Sequence, residues 1–147
     1  MIEMEWNCIE TQAEVEELNE LFENFHDACL KELCFSTGGF VSENYAMQVI
    51  SAPVARLLFQ RQKKNPAVIE MEFCGVLQIN IKPVGEDQGI DIISTHLYLE
   101  EGIFFWNEKD YEYHEKGKDE STWIAARGVR WRVKDSALGS KMVYMVD

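Results

Sequence analysis

A segment of alternating polarity in the middle of the chain limits the possible folds more than any other feature. Between residues 69 and 82, apolar side chains stand at every second position except Gly75, namely at Ile69, Met71, Phe73, Leu77, Ile79 and Ile81. Successive side chains of a strand point to opposite faces, so this pattern predicts that all of them face the core. A two-residue hairpin at residues 74 and 75 would mismatch the two faces. One long strand, bent or bulged at Gly75 and spanning a large sheet, fits better.

Other segments with strand character bring the predicted sheet to about seven strands. They are residues 28–35, 54–62, 90–99 and 103–106, a segment that begins at residue 121, and residues 141–146. The two that flank residues 100–102 form a predicted hairpin. Its glycine is third in the loop, as a type I turn with a G1 bulge requires. In that register Leu97 lies opposite Phe105, and His96 lies opposite Trp106.

The segment that begins at residue 121 is the second long strand. Apolar residues at its odd positions share one face, which Arg127 interrupts: Trp123, Ala125, Val129, Trp131 and Val133. Gly128 is a second predicted bend point. The other face carries Arg130 and Arg132. We expect the arginines of this segment, Arg127, Arg130 and Arg132, to be cross-strand partners of Glu70 and Glu72. On this interpretation Glu70 faces solvent, and the substitution Glu70→Lys is expected to be tolerated.

The N-terminal region contains one clear helix, predicted over about residues 11–25. Thr11 and Glu14 have the spacing of a capping box, in which the two side chains satisfy backbone N–H groups at the helix start. Apolar side chains follow with helical period at Val15, Leu18, Leu21, Phe22 and Phe25. We therefore expect one domain, residues 1–147, of the α+β class. The helix packs on a strongly curved, mainly antiparallel sheet formed by residues 28–147.

Charge and cysteine content narrow the classes of function. The 147 residues include 26 acids and 14 Lys and Arg, which gives a net charge of −12. This balance argues against binding to nucleic acids or anionic membranes, and no apolar run reaches the roughly 18 residues of a membrane span. The four cysteines lack the C-x-x-C spacing of metal sites, so we expect free thiols, no metal and no cofactor. These features predict a cytoplasmic protein.

The acids are concentrated on the exposed side of the predicted helix. They are Glu16, Glu17, Glu20 and Glu23, and no Lys or Arg occurs before Lys31. Like charges three or four positions apart on a helix repel, so packing must hold this helix in place. The acidic surface either solubilises the domain or binds an unknown protein partner that is basic.

No catalytic motif is present, and we expect a protein that is not an enzyme. His26 with Asp27 is a candidate acid–base pair, but a helix C-cap and turn explain these residues better, because no motif surrounds them. The alternative is a small-ligand-binding or enzymatic domain with an aromatic pocket. Its candidate lining is His96, Tyr98, Phe105, Trp106, Trp123 and Trp131. A self-associating domain, in which a homodimer buries the aromatic hairpin, is a third possibility. Residues 107–120 are expected to form an exposed acidic loop.

Several short motifs between about residues 20 and 106 resemble a known group of proteins. They are Phe-His-Asp at residues 25–27 with the strand that follows, and residues 57–62, 69–76 and 104–106. They are similar to small uncharacterised bacterial proteins, some of which look like immunity proteins encoded beside polymorphic toxins. The resemblance implies a mainly antiparallel β-domain without catalytic activity. The function that we favour is protein binding, in the form of an immunity-type inhibitor whose acidic helix meets a basic partner. It assigns no catalytic residue.

Overall fold

The computed structural model describes residues 5–145. One α-helix, α1, spans Gln12–Leu21, and short 3-10 helices occur at Glu23–Phe25, Lys118–Glu120 and Asp135–Ala137. The strands in chain order are β1 Asn7–Ile9, β2 Ala28–Ser36, β3 Phe40–Val41, β4 Met47–Gln48, β5 Val54–Arg61, β6 Val68–Asn80, β7 Leu97–Glu100, β8 Ile103–Asn107 and β9 Trp123–Val133. The chain therefore has the predicted α+β composition.

Seven strands form one sheet in the order β2-β5-β6-β9-β8-β7, with β1 paired to β9. Every strand pair in this described sheet is antiparallel. The strands β1 and β8 follow one another along the same edge of β9, because Ile9 pairs with Val129 and Phe104 pairs with Ala126. The strands β3 and β4 form a separate hairpin. Within residues 5–145 no sheet is strongly curled, so the predicted strong curvature is not confirmed.

The helix begins as predicted. The N–H of Glu14 donates to Thr11 Oγ1 at 3.2 Å, and the N–H of Thr11 donates to Glu14 Oε1 at 3.1 Å, which completes the capping box. The buried side chains of α1 and the segment after it are Val15, Leu18, Phe22 and Phe25. They pack on one face of the sheet, where Phe25 lies 5.1 Å from Phe59 between ring centroids. Local capping and tertiary packing together fix the helix.

The end of the helix differs from the prediction. The α-helix stops at Leu21, and Leu21 is 39% exposed rather than part of the buried stripe. Glu23, Asn24 and Phe25 have φ angles of 48°, 56° and 59°, which lie in the left-handed region. Residues other than glycine adopt this region when tertiary contacts compensate for the strain. With this left-handed backbone, the Phe25 ring lies in the core.

An Asn side chain joins α1 to the edge strand β7. The Nδ2 group of Asn19 donates to the carbonyl of Leu97 at 3.0 Å, and the N–H of Leu97 donates to Asn19 Oδ1 at 2.9 Å. Both groups are buried, so the amide provides the two hydrogen bonds that a neighbouring strand would make. The helix is therefore attached to the sheet edge by polar contacts as well as by its apolar stripe.

The strand β6 is continuous through Gly75, as predicted. After Gly75, however, the side chains that face the core no longer stand at every odd position. Ile69, Met71 and Phe73 are fully buried, whereas Leu77 is 42% exposed and Ile81 is 63% exposed. Gly75 has a φ of 59°, and a bulge at residue 77 separates the cross-strand pairs Val76–Ala126 and Gln78–Ala125. Val76 and Ile79 contact the core instead. The prediction that all six alternating residues face the core is therefore wrong for Leu77 and Ile81.

The face of β9 switches along with that of β6. Val129 and Trp131 contact the core beneath α1, whereas Trp123 and Ala125 belong to a cluster on the opposite face. The predicted single apolar face of this strand is therefore wrong. The cause is local: next to the positive φ of Gly75, both strands change the side on which their side chains meet the core.

The hairpin of β7 and β8 forms in a different register from the predicted one. Leu97 pairs with Trp106, and Tyr98 pairs with Phe105. The loop has two residues, Glu101 and Gly102, with φ angles of 51° and 76°. Positive φ at both positions is typical of a type I′ turn, which matches the twist of a tight hairpin better than a three-residue loop. Leu97 and Trp106 consequently face α1, and Tyr98 and Phe105 face the other side.

The C-terminal segment is not a strand within its described residues. Residues 135–145, here called the C-terminal segment, cross the sheet face opposite α1. The backbone N–H groups of Val143 and Tyr144 donate to the carboxylate of Glu32 at 2.9–3.0 Å. These N–H groups bind a side chain rather than a strand edge, which explains why the predicted strand 141–146 does not form between residues 141 and 145. Residue 146 lies outside the described part.

Candidate functional site

The acidic surface of α1 is smaller than the sequence predicted. Glu16, Glu17 and Glu20 are exposed, and within residues 5–145 they form no salt bridge. Glu23 differs, because its carboxylate pairs with Lys63 and lies 3.8 Å from Arg61 Nη1. The hydrogen bond from Lys63 holds the pKa of Glu23 below its ordinary value. The open acidic surface therefore consists of Glu16, Glu17 and Glu20.

The six residues of the alternative aromatic pocket lie on two sides of the sheet. Trp106 is in the cluster beneath α1 with Phe25 and Phe59, and Trp131 packs against the same cluster. Phe105, Trp123 and Tyr98 form the second cluster on the opposite face, which Tyr113 covers with its ring 5.3 Å from that of Phe105. A sheet separates the two groups. The full set therefore does not line one cavity.

The three histidines occupy separate places. His26 Nε2 lies 3.3 Å from the carboxylate of Asp27, and both side chains are exposed. His96 Nδ1 lies 3.1 Å from Asp110 Oδ1, to which the Tyr98 hydroxyl also donates at 2.7 Å. Burial and this hydrogen bond raise the pKa of Tyr98. The ring of His114 stacks on Tyr113 in the acidic loop.

Residues 5–145 contain no group of three or more His, Cys, Asp and Glu side chains that could hold a metal ion. In the same part of the chain, no helix has both the length and the apolar character needed to cross a membrane. All four cysteines are free thiols, and Cys8, Cys34 and Cys74 are exposed.

The sheet face opposite α1 carries a network of charged side chains, here called the polar face. Its members are Glu32, Arg56, Glu70, Glu72, Arg130 and Arg132. Arg56, Glu72 and Arg130 are direct neighbours across β5, β6 and β9. The Nε of Arg56 donates to Glu72 Oε2 at 3.0 Å, and Arg130 donates from Nε and Nη2 to Oε1 at 2.9 and 2.8 Å. The predicted cross-strand pairing of Glu72 with an arginine of β9 is confirmed, and the arginine is Arg130.

Glu70 lies in the adjacent row of the polar face and is completely buried. Arg132 donates to Glu70 Oε1 from Nε and Nη2, each at 2.9 Å, and the Tyr144 hydroxyl donates to Oε2 at 2.6 Å. Burial and this carboxylate raise the pKa of Tyr144, so the phenol stays protonated as a donor. The predicted cross-strand pairing of Glu70 with an arginine is confirmed for Arg132, but the predicted exposure of Glu70 to solvent is wrong. The C-terminal segment covers it, which the alternation pattern does not indicate.

Glu32 fixes the C-terminal segment from the edge strand β2. Burial alone would raise its pKa, but the hydrogen bonds from Tyr144 and Val143, together with the charge of Lys31, outweigh burial and hold the pKa below its ordinary value. Lys31 also donates to the carbonyl of Lys141, and Gln60 donates to those of residues 137 and 139. Side chains of β2, β5 and β6 thus hold a segment with no strand pairing of its own.

A second surface was missed by the sequence reasoning. The hairpin of β3 and β4 exposes apolar side chains, here called the hairpin patch: Phe40 (53% exposed), Val41 (54%), Tyr45 (91%), Met47 (67%), Val49 (91%) and Ile50 (49%). Val41 and Met47 are directly opposite across the hairpin. One feature of the sequence could have indicated this surface: apolar residues stand on both sides of the polar residues 42–44, directly after the Gly38–Gly39 turn.

The hairpin is held by its own hydrogen bonds. The N–H of Ser42 donates to the carbonyl of Ala46 at 2.9 Å, and that of Tyr45 donates to Ser42 at 2.8 Å. At the base, the N–H of Ala52 donates to Thr37 at 3.1 Å. The patch is therefore carried by a closed turn rather than by an unrestrained loop.

Comparison with known proteins gives no relative. No protein-family model, curated protein or solved structure matches the chain.

Proposed function

We propose that the protein is a non-catalytic protein-binding domain that attaches to a basic partner through the hairpin patch. The observation that carries this proposal is the exposure of several large apolar side chains on one hydrogen-bonded hairpin. Val41 and Met47 lie directly opposite each other across the hairpin and expose apolar surface together, and grouped apolar side chains of this kind mark interaction sites. The closed turn also favours binding, because little conformational freedom is lost when the partner arrives.

The charge of the chain supports a basic partner. A net charge of −12 creates a negative potential around the molecule, and Glu16, Glu17 and Glu20 leave three carboxylates open on α1. Such a field raises the rate at which a positively charged protein is encountered, even when the charges lie outside the final contact. An inhibitor of the immunity-protein type is the specific form of this proposal. Free thiols at all four cysteines support a cytoplasmic setting for it.

The first test removes the hairpin patch. The double variant Val41→Ser/Met47→Ser should bind the partner at least about 30-fold more weakly, because each of two central anchors contributes more than about 1 kcal/mol. The matched control is Ile90→Ser/Ile93→Ser, which removes two apolar side chains of comparable exposure, 67% and 82%, from another surface. The partner is captured from extracts of the source cells, purified and titrated calorimetrically.

Equal binding by both variants would overturn the hairpin proposal. Sedimentation of the chain alone provides the second criterion. If the hairpin patch holds two copies together and Val41→Ser/Met47→Ser yields monomers without affecting any other partner, the patch serves self-association and not a basic protein.

The second test concerns the charge of α1. The variant Glu16→Gln/Glu17→Gln/Glu20→Gln should slow association with the partner severalfold at low salt and leave dissociation nearly unchanged. The difference should shrink at 0.5 M salt, where screening acts within a few ångströms. Stopped-flow association rates at two salt concentrations measure it. A salt-independent difference, or none, would show that the acidic surface only solubilises the domain.

A further inference from the structure

A groove on the polar face has the features of a binding site. It lies between the charged row of β5, β6 and β9 and the C-terminal segment, and has a volume of about 540 Å³. Its polar lining consists of Cys34, Ser36, Arg56, Glu72, Arg130 and Tyr144. Val54 and Val143 add apolar walls. Sites for small molecules commonly have this combination of apolar walls and a few converging polar groups.

The two arginines in this groove have hydrogen-bond donors to spare. A guanidinium carries five N–H groups. Within residues 5–145, Arg56 donates to protein only from Nε, and Arg130 only from Nε and Nη2. Their side chains are 46% and 38% exposed. Both Nη groups of Arg56 and Nη1 of Arg130 are therefore available to an acceptor in the groove.

Both guanidinium groups are also held in place. Glu72 binds them from either side, and its own side chain is 10% exposed. The Trp6 ring lies 4.3 Å from the guanidinium carbon of Arg130 and restricts it further. A ligand would therefore meet donors whose positions are already fixed, which lowers the entropic cost of binding.

The charge of the row limits the kind of ligand. Arg56 and Arg130 carry two positive charges, and Glu72 carries one negative charge, so the row has an excess of one positive charge. A monoanion neutralises it. A dianion would bring a second negative charge close to Glu72, in a chain whose net charge is −12.

We infer that this groove binds the carboxylate of a small organic acid with an apolar portion. The planar guanidinium forms two parallel hydrogen bonds with a carboxylate, and its geometry matches that group better than a point charge would. The carboxylate lies against the Nη groups of Arg56, and the apolar portion contacts Val54, Val143 and the ring of Tyr144. None of the residues that line this groove belongs to the hairpin patch.

The test uses the full chain at low ionic strength, titrated with acetate, benzoate and inorganic phosphate. Benzoate is expected to bind with one-to-one stoichiometry, acetate at least tenfold more weakly because it lacks an apolar ring, and phosphate more weakly than benzoate. Arg56→Gln should weaken benzoate binding at least tenfold. Arg56→Lys should also weaken it, since an ammonium cannot form the paired contact. Lys64→Gln, which removes an exposed positive charge elsewhere, should not change it.

Nuclear magnetic resonance of the unmodified chain keeps the inference testable if an Arg56 variant fails to fold. Benzoate should shift the backbone amide signals of Ser36, Val54 and Tyr144. Shifts confined to other residues, the absence of saturable benzoate binding, or equal binding by Arg56→Gln would each overturn the site. Tighter binding of phosphate than of benzoate would overturn the carboxylate assignment.

Discussion

Met71→Asp is expected to unfold the domain, whereas Leu77→Asp is expected to leave it folded. Met71 is completely buried on the face beneath α1, where it pairs with Leu57 on β5 and Trp131 on β9. An unpaired carboxylate there costs several kcal/mol, a large share of the roughly 5–15 kcal/mol that stabilises a domain. Leu77 occupies the bulge of β6 and is 42% exposed, so a carboxylate at this position stays hydrated.

Urea denaturation followed by circular dichroism measures both variants. Ile79→Asp is a useful third variant, because Ile79 contacts the core although it follows the bulge. It should be destabilised more than Leu77→Asp. If the Met71→Asp and Leu77→Asp variants unfold at similar urea concentrations, the side chains of β6 alternate without interruption and the change of face at Gly75 is incorrect.

The same strand illustrates what alternation can and cannot predict. Alternating polarity located β6 and the buried side chains before Gly75, because period-two burial is a local property of a strand with one covered face. The change of face occurs at the positive φ of Gly75, because Val76 already contacts the core, and the bulge that follows returns Ile79 to it. A glycine permits such a backbone but does not require it. Only the pairing with β9 determines whether the glycine adopts this backbone conformation.

The helix and its acidic surface show the same division. The capping box is a contact between neighbours in sequence, so Thr11 and Glu14 predicted the helix start correctly. Its end depends on the Phe25 ring, which contacts Phe59 and Trp106 far away in the sequence. Glu23 was predicted to lie on an open acidic face, but Lys63 from the turn after β5 neutralises it. Long-range charge pairing has no local signal.

The polar face was predicted in part. Acids at even positions of β6 and bases at even positions of β9 indicated cross-strand pairs, and both pairs form. The sequence pattern indicated nothing beyond these pairs. That Arg56 joins the row depends on the register of β5, and the burial of Glu70 depends on a C-terminal segment that is not a strand. The groove between these elements could not be located before the register was known.

Glu70→Lys is expected to destabilise the domain by more than about 3 kcal/mol, contrary to the tolerance that alternation alone predicts. Glu70 is fully buried and accepts hydrogen bonds from Arg132 and Tyr144, with Lys134 Nζ 3.8 Å away. Lysine at this position would place a third positive charge beside Arg132 and Lys134. It would also leave the Tyr144 hydroxyl without its acceptor.

Three comparisons separate the contributions to this effect. Glu70→Gln keeps the shape but removes the charge, and is expected to cost less than Glu70→Lys. Tyr144→Phe removes only the 2.6 Å hydrogen bond to Glu70, and should cost about 1.5–3 kcal/mol, as hydrogen bonds to charged groups do. Glu16→Lys places the same substitution on the exposed face of α1 and should change stability by less than about 0.5 kcal/mol. Urea denaturation of the four variants measures these differences. If Glu70→Lys and Glu16→Lys were equally stable, Glu70 would face solvent and the C-terminal segment would not cover it. The expected order arises because only Glu70 is itself completely buried, between the partly buried guanidinium of Arg132 and the partly buried phenol of Tyr144.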